Sequence, residues 1–188
     1  MGKLSVFNNV SLDGYFVDGS GSMRWAHNSK PDAEWDAFAA GNASGEGVLV
    51  FGRITYDLMA SYWPTPIAAK QLPAVAEGMN RAAKLVFSRT MDKASWNNTR
   101  LVKTDPVAEI RKMKSDPRAD MCILGSGSIV SQLTQAGLID QFDFAVIPVI
   151  LGKGRTMFEG VTKPLSLTRT RSRAFANGNV VLSYALIA

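Results

Sequence analysis

The stretch from Met121 to Gln135, MCILGSGSIVSQLTQ, constrains this chain more than any other. Met121 to Leu124 is a short apolar run of the kind that forms a strand buried on both faces. Gly125-Ser126-Gly127-Ser128 follows as a turn, and Ile129, Val130, Leu133 and Ala136 then recur at helical spacing. Strand, glycine turn and helix in that order let the backbone come close to a bound group. The first N–H groups and the dipole of the helix favour an anion there, a phosphate or diphosphate above all. Gly-Ser turns also join strands to helices without binding anything, so the junction alone leaves both roles open. Val130 stands where a dinucleotide fingerprint needs its last glycine, and no Lys-Ser or Lys-Thr pair follows the glycines as in a P-loop.

The same pattern occurs once more, and a third strand ends in polar and basic residues. Val48 to Phe51 reads as a buried strand, and Gly52-Arg53-Ile54-Thr55 opens a helix through Tyr56, Leu58 and Met59. Lys84 to Phe87 is a short strand ending at Ser88-Arg89-Thr90. Between and around these, Lys3 to Asn9 predicts a first strand running into the Asp13-Gly14 turn, and Asp18 to Ser22 predicts a mobile glycine-rich loop. A helix starts near Pro31 and Asp32, has Trp35, Phe38 and Ala39 as its apolar stripe, and stops at Gly45-Glu46-Gly47. Trp63 to Pro66 reads as a loop, Ala68 to Arg81 as one helix, Arg100 to Lys103 as a weaker strand, and Thr104 or Asp105 as the cap of a helix with Pro106 in its first turn. This alternation predicts an α/β fold with a largely parallel sheet. The ending differs: a strand from Gln141 to Pro148, a glycine-rich loop from Leu151 to Arg155, and an antiparallel hairpin pairing Leu165–Phe175 with Asn179–Ile187 across Asn177-Gly178.

Composition bounds the function. With 188 residues, 46% hydrophobic and 20% charged, the chain suits one substantial core, and a single domain over 1–188 is expected. A formal charge of +5 with scattered basic residues favours a small anionic ligand over nucleic acid. Arg169, Arg171 and Arg173 alternate with Thr170 and Ser172 and would share one face of a strand, as a solvated rim or as a phosphate cradle. The one cysteine, Cys122, lies inside an apolar strand and reads as a small packed hydrophobe. His27 is the only histidine, so no metal site is expected. No secretory signal and no membrane-length apolar run is visible, which predicts a cytoplasmic protein.

In a parallel sheet the three strand ends, Gly52-Arg53, Ser88-Arg89 and Gly125-Ser126-Gly127, share the carboxyl edge where open α/β folds bind ligands. One extended polyanion would lie among them. Two arginines suit a phosphate monoester beside a diphosphate on a helix terminus, a description closer to NADPH than to NADH.

Those three blocks, taken with Ser11-Leu12-Asp13-Gly14 and Val149 to Arg155, resemble the dihydrofolate reductase superfamily in the same order. They are most similar to the bacterial branch related to the reductase domain of the riboflavin-synthesis deaminase-reductase. The resemblance covers nearly the whole chain. It implies a three-layer α/β/α dihydrofolate reductase-like fold with a mostly parallel sheet and an antiparallel C-terminal hairpin, and an NADPH-dependent reductase that commonly forms homodimers. The implied cofactor contacts are Gly52, Arg53, Thr55, Ser88, Arg89 and Gly125, Ser126, Gly127 and Ser128, with Arg53 and Arg89 on the 2′-phosphate. The implied substrate side comprises Asn8, Ser11, Asp13 and Gly14, the late loop around Leu151 and Gly154, and Phe158; Trp25 either lines that pocket or anchors its loop. The family's buried carboxylate matches Asp36, with Asp32 one turn earlier on the same helix face. The substrate is expected to be a small heterocycle, first a ribosylamino-uracil phosphate, alternatively a folate or pterin. A nucleotide-binding protein without catalysis is the reading from a different class.

Overall fold

A computed structural model of the chain describes residues 1–27, 30–43 and 47–187. Its strands are β1 (Leu4–Ser11), β2 (Val17–Asp18), β3 (Val48–Gly52), β4 (Lys84–Phe87), β5 (Thr99–Val102), β6 (Met121–Leu124), β7 (Gln141–Ile147), β8 (Gly154–Arg155), β9 (Leu167–Ala174) and β10 (Val180–Leu186). Its helices are α1 (Ala33–Ala43), α2 (Arg53–Tyr62), α3 (Pro66–Gln71), α4 (Pro73–Arg81), α5 (Pro106–Lys114) and α6 (Gly127–Gln135). Eight strands form one sheet in the order β5-β4-β3-β6-β1-β7-β10-β9, and β2 pairs with β8 apart from it. All neighbours from β5 to β7 are parallel, while β10 runs antiparallel to both β7 and β9. Helical crossovers bring the chain back for parallel pairing at each of these steps except β4 to β5, which an irregular segment joins, and the short C-terminal turn forces antiparallel pairing on the last two strands.

Alternation along the strands divides the protein into layers. Leu4, Val6, Val50, Met121 and Ile123 share one face and pack with Ile110 of α5 and with Ile129, Val130 and Leu133 of α6 in the main core. The opposite face carries Ser5, Phe7, Leu49, Cys122 and Leu124 toward α1, α2 and α4. β6 is therefore not sealed on both sides as its apolar run suggested: Met121 and Ile123 are buried, while Cys122 and Leu124 are half-buried on the second face. The strand buried along its whole length is β4. Its first residue, Lys84, turns its ammonium back onto the carbonyls of Met79 (2.8 Å), Asn80 (3.2 Å) and Ala82 (2.6 Å). That position caps the C-terminal end of α4, with the Trp96 ring 4.4 Å from the nitrogen.

Other boundaries depart from the sequence expectation for definable reasons. The single helix expected over 68–81 is two helices, because Pro73 lacks an N–H and disfavours a helical residue before it; Leu72 accordingly leaves the helical region at φ −138°, ψ 64°. Pro66 belongs to α3, not to a loop, and Thr65 caps that helix through the Ala68 N–H. Asp105, not Thr104, caps α5, accepting the Ala108 N–H at 2.9 Å. The glycine stop expected at Gly45-Glu46-Gly47 lies, Gly47 apart, outside the described residues. In the hairpin, Phe175 and Asn179 close a three-residue connection whose Gly178 takes φ +94°.

The arginine trio does not share a face. The β9–β10 register pairs Arg173 with Val181 and Arg171 with Ser183, but Arg169 with Tyr184, so a bulge at Thr170 turns Arg169 to the other side. Arg173 forms an ion pair with Glu34 of α1 and lies 4.7 Å from the centre of the Phe175 ring. Among the described residues no helix is long and apolar enough to cross a membrane, and no cluster of His, Cys, Asp and Glu side chains is arranged to hold a metal.

Candidate functional site

The sheet order sets β4, β3 and β6 side by side and parallel, with Phe87 opposite Gly52 and Ile123 opposite Val50. Ser88-Arg89, Gly52-Arg53 and Gly125-Ser126 therefore emerge at one edge. At the last of these the backbone enters the left-handed region twice in succession, Gly125 at φ +57° and Ser126 at φ +60°. A non-glycine residue there costs about 1–2 kcal/mol, and the neighbours hold it in place. Thr55 Oγ1 accepts the Ser126 N–H at 2.9 Å. Ser126 Oγ accepts the Gly52 N–H and donates to the Leu124 carbonyl, both at 2.9 Å. Asn8 brackets the glycine, taking the Gly125 N–H at 2.6 Å and donating to its carbonyl at 3.0 Å. A Cβ on Gly125 would stand 2.6 Å from Thr55 Cγ2, so any side chain there would force Thr55 to shift.

Thr55, Ser126 and Asn8 thus have their side chains engaged inside the turn. The groups that remain at the rim are the first N–H groups of α6, at Gly127 and Ser128, the exposed Ser128 side chain, and the two arginines. Arg53 is half-exposed, with Nη1 donating to Thr90 Oγ1 at 2.6 Å and Nε 3.4 Å from Asp57. That bond ties the start of α2 to the turn after β4, where Ser88 Oγ accepts the Met91 N–H at 3.0 Å and Arg89 is exposed. The rim is accordingly rich in donors, and its carboxylate Asp57 is paired with Arg53.

Behind the rim a cavity of about 740 Å³ opens between the sheet and the helices. Its floor is the face of the sheet carrying Phe7, Asn9, Leu49 and Leu124; Trp35, Asp36 and Phe38 of α1 form one wall, and Met59, Trp63 and Met79 form another. It reaches Gly125, so rim and cavity meet at the glycine turn. His27, Lys30 and Arg171 also line it. Cys122 faces this space instead of packing into the core, and burial pushes its thiol above the ordinary range.

The two candidate carboxylates separate cleanly. Asp36 lines the cavity but is solvent-exposed, unlike the buried carboxylate the resemblance implied, because it sits on the outer part of α1. Asp32 caps α1, accepting the N–H groups of Glu34 (2.9 Å), Trp35 (3.0 Å) and Asn177 (3.0 Å). Those backbone hydrogen bonds, Trp35 first, hold its carboxyl below the usual carboxylate range.

Several residues expected on the substrate side stand away from this cavity. Asp13 accepts from Ser11 Oγ (2.7 Å) and from the N–H groups of Leu151 (3.1 Å) and Gly152 (2.8 Å). Asp13, Ser11 and Leu151, with Gly14 at φ +86°, clasp the late loop to the end of β1. Gly154 belongs to β8, where a Cβ would lie 2.0 Å from the Val17 carbonyl oxygen. Trp25 anchors its loop, donating from Nε1 to Ser22 O at 3.1 Å while its ring packs on the cluster around Ala145 and Ile147. Phe158 packs tilted against Phe142 and edge-on to Phe144 and borders a separate cavity of about 420 Å³. The sequence set the stretch Asn8 to Gly14 beside the substrate without singling out Asn9, and did not mark the methionine and tryptophan wall of α2 and α4. Strand alternation was the available signal for Asn9: adjacent asparagines on β1 must face opposite ways.

Comparison with known proteins agrees with this architecture. The model of the RibD C-terminal domain matches residues 3–181. The uncharacterised protein YyaP of Bacillus subtilis is 28% identical over 178 residues, covering 93% of this chain and 90% of YyaP. Among solved structures, a protein of Shewanella sp. PV-4 provisionally named for riboflavin biosynthesis superposes with a TM-score of 0.74 at 22% identity, over 99% of both chains. Dihydrofolate reductase of Enterococcus faecalis, complexed with NADP(H) and RAB-propyl, superposes at 0.65 with 14% identity, over 99% of this chain and 97% of that one. The fold is thus the α/β dihydrofolate reductase-like one, and the chain belongs to the RibD C-terminal domain family.

Proposed function

We propose that the protein is an NADPH-dependent reductase that delivers hydride to a flat heterocycle seated in the cavity under α1. The observation that carries this reading is the meeting of a donor-rich rim with a largely apolar cavity at Gly125. The donor set fits the cofactor: the N-terminus of α6 suits a diphosphate, and the guanidiniums of Arg53 and Arg89 suit an additional phosphate ester. When bound, NADPH supplies hydride from its nicotinamide. The chain's own part is alignment and dryness. Asn8, Thr55 and Ser126 fix the glycine turn at the mouth of the cavity, where the cofactor would be held, and Trp35, Phe38 and Met79 would keep water from the acceptor carbon. Asp36, which lines the cavity from α1, delivers the proton through its carboxyl group or an adjoining water, with Asp143 of β7 as the other acid on the cavity wall.

A pyrimidine of the ribosylamino-uracil phosphate type is the leading substrate, because basic side chains, including Arg171, line the same cavity as the apolar walls. A folate or pterin is the alternative, and turnover of dihydrofolate measured beside the pyrimidine separates them. Arg53→Ala tests the cofactor assignment. NADPH affinity should fall about 10- to 100-fold, as for loss of a charge-assisted bond, with NADH affinity nearly unchanged. An equal loss for both dinucleotides would refute the 2′-phosphate role.

A further inference from the structure

Strand β10 is largely apolar on both of its faces, and only one of them is covered. Val181 and Ser183 are buried on the side toward α1, where Val181 shares a cluster with Ala145, Trp35 and Phe38. Val180, Leu182 and Tyr184 on the opposite side are half-buried, as are Val146 and Phe144 of β7, which pair with Val180 and Leu182. An antiparallel strand with one face in water ordinarily alternates apolar with polar residues, and this one carries the pattern of a strand covered on both sides. On the face of Leu182, α5 and α6 pack over β1, β3 and β6, and α6 reaches the Phe142 end of β7 through Thr134. Among the described residues no helix continues over β10 and β9. Phe158, 38% exposed, packs edge-on to Phe144 at the border of the open patch.

Two charges bracket this patch. Arg169, which the bulge at Thr170 brings to the same face, donates to Ser172 Oγ at 3.2 Å. Glu159 follows Phe158 on the α6 side, its carbonyl accepting from Ser131 Oγ at 2.6 Å. Both residues are exposed, and neither has an ion-pair partner among the described residues.

We propose that a second copy of this chain covers the face, the two sheets packing front to front about a twofold axis that runs along β10. The charges argue for the chain itself. Rotation about that axis exchanges the two margins of the patch, so Arg169 meets the partner's Glu159, and the contact occurs twice. Phe144, Leu182 and Tyr184 then form the dry centre that a sheet face requires. A twofold pairing through the free edge of β9 would instead set arginine against arginine across the new ladder, which disfavours that edge. The surface is separate from the cofactor rim, so it stands or falls independently of the reductase reading.

Sedimentation equilibrium of the full chain is the test. Wild type at micromolar concentration should have twice the 20.3 kDa mass of one chain. Arg169→Glu and Glu159→Arg should each weaken the dimer by about 10- to 100-fold, since like charges then face each other twice, with circular dichroism unchanged. An equimolar mixture of the two variants should recover the wild-type affinity, because every margin contact again joins opposite charges; misfolded variants could not do this. A monomeric wild type, a dimer constant within roughly twofold of wild type in both variants, or no recovery on mixing overturns the proposal. A dimer that Leu58→Gln dissociates and the charge variants do not would also overturn it, placing the contact on the exposed apolar side of α2, where Ile54 and Leu58 stand out.

Discussion

Gly125 has no freedom to vary, for two separate reasons. Its φ of +57° disfavours any side chain, and the space a Cβ would need is occupied by Thr55. The two costs add, about 1–2 kcal/mol for the backbone and about 1–3 kcal/mol for the overlap. Gly125→Ala should therefore lose about 2–5 kcal/mol in a urea titration, and the surviving folded protein should bind NADPH more weakly because the turn has moved. A change under about 0.5 kcal/mol, the size of an ordinary surface substitution, would mean that Thr55 yields without cost. Asn8 shows the same economy of position: one side chain satisfies both polar groups of the glycine, so the conformation that function needs is fixed by hydrogen bonds outside the turn itself.

At the scale of elements, two acids one turn apart, Asp32 just before α1 and Asp36 within it, meet different surroundings. Asp32 ends the helix and joins it to the hairpin through the Asn177 N–H, while Asp36 faces the cavity. Exchanging them one at a time should split stability from catalysis. Asp36→Asn should lower turnover by about 10²- to 10⁴-fold, the usual contribution of a general acid, at an unchanged melting temperature. Asp32→Ala should lower the melting temperature and leave the chemical step in place. The sign of its pH dependence follows from its depressed folded value. The contribution is present above the unfolded carboxylate range and fades as pH falls through the folded one, so the gap between wild type and Asp32→Ala should close in acid. Equal turnover in Asp36→Asn and wild type would move the proton source elsewhere.

For the molecule as a whole, a buried ammonium, that of Lys84, joins α4, β4 and Trp96. Burial pushes its ammonium down from 10.5 to about 8. The folded value lies below the unfolded one, so between these limits the unfolded chain holds more protons and global stability rises with pH. Wild type should accordingly gain stability relative to Lys84→Met as pH is raised from about 8 to about 10, read from paired urea titrations; parallel curves would show that the carbonyl cage already compensates the burial. The order of the sheet belongs to this scale too, since it alone makes neighbours of segments as distant in sequence as Arg53, Arg89 and Gly125.

By itself the sequence determined the alternation of strands and helices, the parallel body with an antiparallel hairpin, and the glycine and arginine residues at the strand ends. Those are local matters of periodicity, turn chemistry and backbone freedom, and they are written in contiguous residues. Tertiary structure decided which side chains face the cavity. Pro73 broke a helix whose pattern ran through it, the bulge at Thr170 turned Arg169 from its partners, and pairing across 138 residues drew Asp13 into a clasp with Leu151. Which of two adjacent asparagines holds the turn and which faces the cavity follows from the sheet face each one meets, and that face exists only once β6, β7 and α1 have packed around β1.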